Sequence, residues 1–154
     1  MAFSKKEVFS KEKYSIQKSN NMKQSGLFWI QLLAGIILLF LIFHVLILTQ
    51  VISYEITWGG RLKSVQEMWV FESISIIMNG LLLFLLSQKS GLFQSILSEK
   101  IVHFGLWIYV GIFILNTVGN LAAATLLEKG FSLVTFFMAW ILLKIIRMTP
   151  QQYL

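Results

Sequence analysis

This sequence predicts an all-α polytopic membrane protein, an antiparallel bundle of four transmembrane helices, on three observations. The chain has 154 residues, of which 56% are hydrophobic and 13% charged, whereas a soluble domain carries about a quarter charged residues. Its apolar residues are bunched into four runs, 27–48, 68–87, 101–123 and 131–148, each at or near the roughly 20 residues that cross the hydrocarbon core as a helix. The runs are also too long and too uniformly apolar for barrel strands, the other structure that satisfies its backbone within lipid.

The chain begins with a basic segment, 1–25, where Lys5, Lys6, Lys11, Lys13, Lys18 and Lys23 face only Glu7 and Glu12. It reads as an orientation signal with some attraction to anionic lipid. It lacks the regular basic and aromatic spacing of a nucleic-acid arm. The apolar run that follows is longer than a signal-peptide core and has no small-x-small cleavage site. With four spans both termini share one side, together with Lys89, Lys100, Lys144 and Arg147. The other side receives only Arg61, Lys63 and Lys129. Lysine and arginine accumulate on the cytoplasmic face. Both termini, including a short tail at 149–154, are therefore expected inside a cell (cytoplasmic) membrane.

The four spans form one domain, 26–148. Phe28, Trp29, Phe104 and Trp107 sit where the inner interface is expected, and Tyr54, Trp58 and Trp69 where the outer one is, as aromatic belts do. The first connection is the longest; "VISYEIT" alternates well enough for a short strand or extended segment, and "WGG" would turn it. The third and fourth spans are joined by a few residues around "TLLEKG", as in a helical hairpin. Gly130 is expected to end that turn without a Cβ penalty.

Polar residues within the spans fall towards the outer side. At a rise of about 1.5 Å per residue, His44 lies roughly 7 Å below the outer end of its span, Glu72 about 6 Å, Asn79 about 16 Å, Asn116 about 10 Å and Asn120 about 5 Å. Glu72, Ser75 and Asn79 are spaced three and four apart and form one stripe; Asn116 and Asn120 share a face of the third span. Ionisable groups in a span normally face the bundle interior or a wet cavity. The expected arrangement is an outward-opening polar pocket formed by His44, Glu72, Ser75, Asn79, Asn116 and Asn120, with Trp58, Arg61 and Glu67 as its lid. Glu72 would meet His44, Arg61, water or a ligand.

Each residue also has a structural reading. Glu72 would sit at headgroup level if its helix began near Ser73, and the asparagines would simply bond between helices. Trp140 is expected to pack, and Lys144 to snorkel to the inner headgroups.

The absence of cysteine excludes thiolate metal sites and thiol redox chemistry; two histidines and no aspartate disfavour a classical metal cage, and no metal or other cofactor is expected. His44 and His103 lie roughly 20 Å apart along the bundle axis, which disfavours bis-histidine haem within one chain. Phosphate-binding glycine loops, nucleophile elbows and HExxH motifs are missing.

The segments "WGGRLKSVQEMWVFESIS" and "FILNTVGNLAAATLLEK" resemble those of a family of small four-helix bacterial integral membrane proteins with no assigned activity. The resemblance implies a bacterial cytoplasmic membrane and four spans, but no substrate. The leading expectation is a non-enzymatic binding or transport-related protein whose pocket takes a small polar molecule, proton or lipid headgroup. The alternative is an accessory or regulatory subunit of a larger membrane complex, and after it an intramembrane enzyme using His44 and Glu72 as acid and base. Expected partners are membrane lipids and a second copy or a partner membrane protein, and no nucleic acid.

Overall fold

The computed structural model describes residues 5–56, 58, 62–91, 93–123 and 126–148. Four α-helices make up most of it: α1 (Lys5–Leu48), α2 (Val65–Ser90), α3 (Glu99–Leu121) and α4 (Leu126–Arg147). All four contain a segment long and apolar enough to cross a membrane, in α1 the part from Gln24 to Leu48. Among the described residues there is no strand. The "VISYEIT" segment instead contains a single 3-10 turn, Tyr54–Ile56.

The basic leader is continuous with the first apolar helix. α1 runs unbroken for 44 residues, so about 28 Å of helix precedes the apolar part. Other boundaries also differ from those the hydropathy implies. Ser64 caps α2, its hydroxyl accepting from the Glu67 amide, while the Glu67 carboxylate accepts from the Lys63 amide at 2.8 Å. This close relative of a capping box satisfies orphan amides of the first turn and starts the helix at Val65. Glu72 is thus seven residues inside α2, roughly 10 Å from its end, rather than at a headgroup-level start near Ser73. At the other end, Gly91 adopts the left-handed conformation (φ 68°) that favours glycine after a helix. Gln88 then holds the connection, its side-chain oxygen accepting from the amides of Ile96 and Leu97.

Gly130 does not end the turn before the last helix. α4 already begins at Leu126, which puts Gly130 in its second turn. The hydropathy minimum at "EKG" hides a helix start because Glu128 and Lys129 lower the average without breaking the helix.

α1 packs on α2 and α4, and α3 packs on α4 and α2. The close-packed core lies in the half that contains Leu33 and Ile37 of α1, Leu82 and Leu86 of α2, Leu106 of α3 and Leu142 of α4, all essentially inaccessible. On α4 the buried positions Met138, Ile141, Leu142 and Ile145 recur at three- and four-residue steps, the spacing of one helical face. Gly105 allows α3 to approach α2 there; a Cβ at that position would stand 2.9 Å from Leu85 Cδ1. Many large apolar side chains face outward, among them Leu39, Ile77, Phe104, Leu115 and Leu133. Only 22% of the apolar window of α1 is buried, far more exposed apolar surface than a soluble monomer presents.

Trp140 packs edge-on against Trp29 with ring centroids 5.4 Å apart. Lys144 lies over both rings, its Nζ 4.3 Å from each centroid, so its ammonium is held by cation–π contacts. The tail at 149–154 lies outside the described residues.

Candidate functional site

Away from the core, towards the end that carries the α1–α2 and α3–α4 connections, the four helices enclose a cavity of about 750 Å³. Its floor is Tyr109 with Leu82 and Met138. Tyr109 donates its hydroxyl to the Met78 carbonyl at 2.7 Å, tying α3 to α2 where the core ends.

At the head of the cavity Glu72 is completely buried. Its Oε2 lies 2.6 Å from His44 Nδ1, and its Oε1 accepts from Trp58 Nε1 at 2.7 Å. Both carboxylate oxygens therefore have partners, which is what makes burial of such a group tolerable. Indole nitrogen can only donate, so Trp58 reports Glu72 Oε1 as an acceptor. With Nδ1 engaged, the His44 ring nitrogen left for an occupant of the cavity is Nε2.

Trp58 reaches this position from a strained backbone. Its φ is 54°, a region that bulky residues seldom enter. The indole is braced on Phe71, with ring centroids 5.0 Å apart. Trp58, from the α1–α2 connection, thus supplies a side chain to the buried carboxylate.

Each residue expected at the site can now be placed. His44, Glu72, Ser75, Asn79, Asn116 and Asn120 all line this one cavity, as do Trp58 and Glu67. Their surroundings differ. Asn79 donates its amide nitrogen to the Ser75 carbonyl at 2.8 Å, leaving its side-chain oxygen as the group on offer. Asn116 is exposed and Asn120 half-buried. Glu67 also serves as the helix-start acceptor described above. Arg61, the expected partner of Glu72, lies outside the described residues; the donors found on Glu72 are His44 and Trp58.

Several lining residues were not expected from the sequence. Glu128, nearly buried, and Thr135 come from α4. Glu128, Ser132 and Thr135 are spaced four and three apart, the same stripe signal that marks α2. The signal is hidden when the helix is started at 131, because Glu128 then falls in a loop. Thr135 also meets Thr117 across the α3–α4 contact, with hydroxyl oxygens 2.9 Å apart.

The two open faces of the bundle differ. Between α1 and α4 the wall is closed by Phe40 and Phe43 against Phe131, with centroids 5.7 and 5.6 Å apart. Between α2 and α3 the lining residues Ile74, Leu115, Asn116 and Gly119 remain exposed. The cavity accordingly opens sideways between α2 and α3.

Among the described residues no three histidine or carboxylate side chains gather as a metal site would require. His103 accepts from Trp107 Nε1 at 3.2 Å at an exposed position of α3, and it does not line the cavity that contains His44.

No protein family, curated protein or solved structure matches the chain. The likeness to small four-helix bacterial membrane proteins therefore stands only at its coarsest level, four helices long and apolar enough to cross a membrane.

Proposed function

We propose that this chain is an integral protein of the cytoplasmic membrane. Its four spans alternate in direction, with both termini inside, and its outward-facing cavity binds a small molecule in a non-enzymatic binding or transport-related role. The observation that carries the reading is Glu72, fully buried at the head of a cavity built by all four helices and held there by His44 and Trp58. A bundle needing only to pack would fill such a space with aliphatic side chains, because voids forfeit dispersion contacts. Cavities of about 300–1,000 Å³ with a few placed polar groups are the usual form of small-molecule sites. The orientation rests on the basic residues, ten of which fall on the side of the termini.

The test is ligand-dependent thermal stability of the purified chain in nanodiscs, across a panel of metabolites and lipids. A specific ligand raises the native melting temperature, since binding to the folded state stabilises it by mass action. The shift should vanish in Glu72→Gln and His44→Ala. If no compound shifts the native protein, and both variants fold and support the same cellular phenotype, the reading fails.

A second reading, an accessory subunit of a larger membrane complex, draws support from the outward-facing apolar side chains on every helix. Purification in a mild detergent should then recover a stoichiometric partner, and repeated isolation of the chain alone counts against it. A homodimer would equally cover such faces, and a complete transport pathway would call for one.

A further inference from the structure

We propose, resting on the reading of this space as a binding cavity, that its occupant is a hydrophobic organic cation, an apolar body bearing a positively charged centre. The first observation is charge. The chain is strongly basic, with net charge +6, yet among the described residues the cavity is lined by three carboxylates, Glu67, Glu72 and Glu128, against one imidazole, that of His44 on Glu72, and by no lysine or arginine. In a low-dielectric surrounding, such a set of carboxylates favours a cation and repels an anion.

The second observation is the ring lining. Phe40, Phe43, Phe71, Tyr109 and Phe131 border the same space as these carboxylates. Aromatic faces attract desolvated cations, and such contacts are the usual way a protein holds a charge that cannot be hydrogen-bonded at close range. The protein already holds a cation this way elsewhere, at Lys144 between Trp29 and Trp140.

The third is distribution. The acidic side chains come from two helices: Glu67 and Glu72 lie about one and a half turns apart along α2, and Glu128 is on α4. No three metal-ligating side chains gather at one point among the described residues. Negative charge spread around a wide cavity suits a bulky cation, whereas a bare metal ion needs oxygens at coordinating distance. Asn79, with its amide nitrogen engaged by Ser75, adds a carbonyl dipole of the same sign. The sideways opening at Ile74, Leu115 and Gly119 admits an apolar body from the hydrocarbon, and Leu82 and Met138 receive it at the floor.

Tetraphenylphosphonium and tetraphenylborate have nearly the same size and shape and opposite charge, so they isolate the sign of the cavity. Binding of each to the full chain in dodecyl maltoside is measured by equilibrium dialysis, with triphenylphosphine oxide as an uncharged competitor. Saturable binding of the phosphonium is expected, at least about tenfold tighter than that of the borate, an increment that a few carboxylates and rings readily supply. Asn116→Lys places a cation at an exposed lining position that carries no buried contact, so it should fold, lose the phosphonium and gain in relative affinity for the borate. Glu128→Gln should weaken the phosphonium alone.

Equal or preferential binding of the borate or the oxide overturns the cation assignment while leaving the binding cavity intact. If none of the three probes binds, the cation assignment falls as well, and the nanodisc panel decides the binding reading by itself. Where the phosphonium does bind, phosphatidylethanolamine and phosphatidylglycerol are added in turn. Displacement by the amine lipid alone assigns the site to a lipid ammonium headgroup, and no displacement assigns it to a free amphiphilic cation. Both results uphold the proposal.

Discussion

His44 Nδ1 stands 2.6 Å from Glu72 Oε2, a side-chain link between α1 and α2 across 28 positions of sequence. Glu72 is wholly inaccessible and the His44 side chain only 16% exposed, so the contact is screened little by solvent. Removing one partner of a buried pair leaves the other with its desolvation uncompensated, which costs more than the pair itself contributes. His44→Ala should therefore destabilise the protein by about 2 kcal/mol, and Glu72→Gln by a similar amount. The double variant should lose less than the sum of the two. Chemical unfolding in mixed micelles, analysed as a double-mutant cycle, measures the difference. Additive losses would mean that the two side chains do not act on one another.

Trp58 offers a spectroscopic test of the other oxygen of Glu72. Its Nε1–H donates at 2.7 Å, short for a nitrogen donor and typical of a charged acceptor. In a nitrogen–proton correlation spectrum of the five indoles, the Trp58 signal should lie downfield and move when Glu72 becomes Gln. Trp69 and Trp140 should stay in place. Trp58→Gly should remove the signal and relieve the positive φ of 54° together, and Trp58→Ala, which loses the indole but keeps the Cβ at positive φ, separates backbone strain from the loss of the indole.

The four helices were legible in the sequence because hydropathy over twenty residues is a strong signal. The shared cavity of His44, Glu72, Ser75, Asn79, Asn116 and Asn120 was legible because helical periodicity puts residues three and four apart on one face. Boundaries were harder. "SVQE" at the start of α2 is a local capping pattern, invisible to a hydropathy average, and the same average leaves Glu128 in a loop. Trp58 was placed near the mouth, but its bond to Glu72 depends on a left-handed backbone in an irregular connection. No periodicity encodes that. The 3-10 turn at Tyr54–Ile56 likewise replaces an extended segment, since alternation over seven residues is a weak signal when no neighbouring strand exists among the described residues to pair with it.

The absence of cysteine from the sequence makes accessibility along the cavity directly measurable. Single cysteines at Asn116, Asn120 and Ser75 should react with a membrane-impermeant thiol reagent added outside intact cells. A cysteine at Leu142, in the close-packed core, should not. Reaction of the first set only after the cells are opened would reverse the orientation inferred from the basic residues. Protection by a bound probe should follow the lining, strongest at Ser75 and Asn116.

Gly105 is where two opposing backbone and packing effects can be weighed. Replacing a helical glycine by alanine favours the helix by about 1 kcal/mol. Against this, the new Cβ would stand 2.9 Å from Leu85 Cδ1, a contact that requires the leucine to move. The obstructing atom is the end of a rotatable side chain rather than backbone, so a shift of a few tenths of an ångström relieves it. Gly105→Ala should accordingly be close to neutral. Gly105→Leu cannot be relieved in that way, because Leu85 is itself buried against the core, and overpacking of this kind costs about 1–3 kcal/mol. The larger variant should also force α2 and α3 apart below the Tyr109 floor and weaken the bond from Tyr109 to the Met78 carbonyl. Thermal unfolding of both variants, read beside accessibility at a cysteine in place of Leu82, tests the two effects together. A tolerated leucine with an unchanged floor would show that α2 and α3 do not depend on close approach at this glycine.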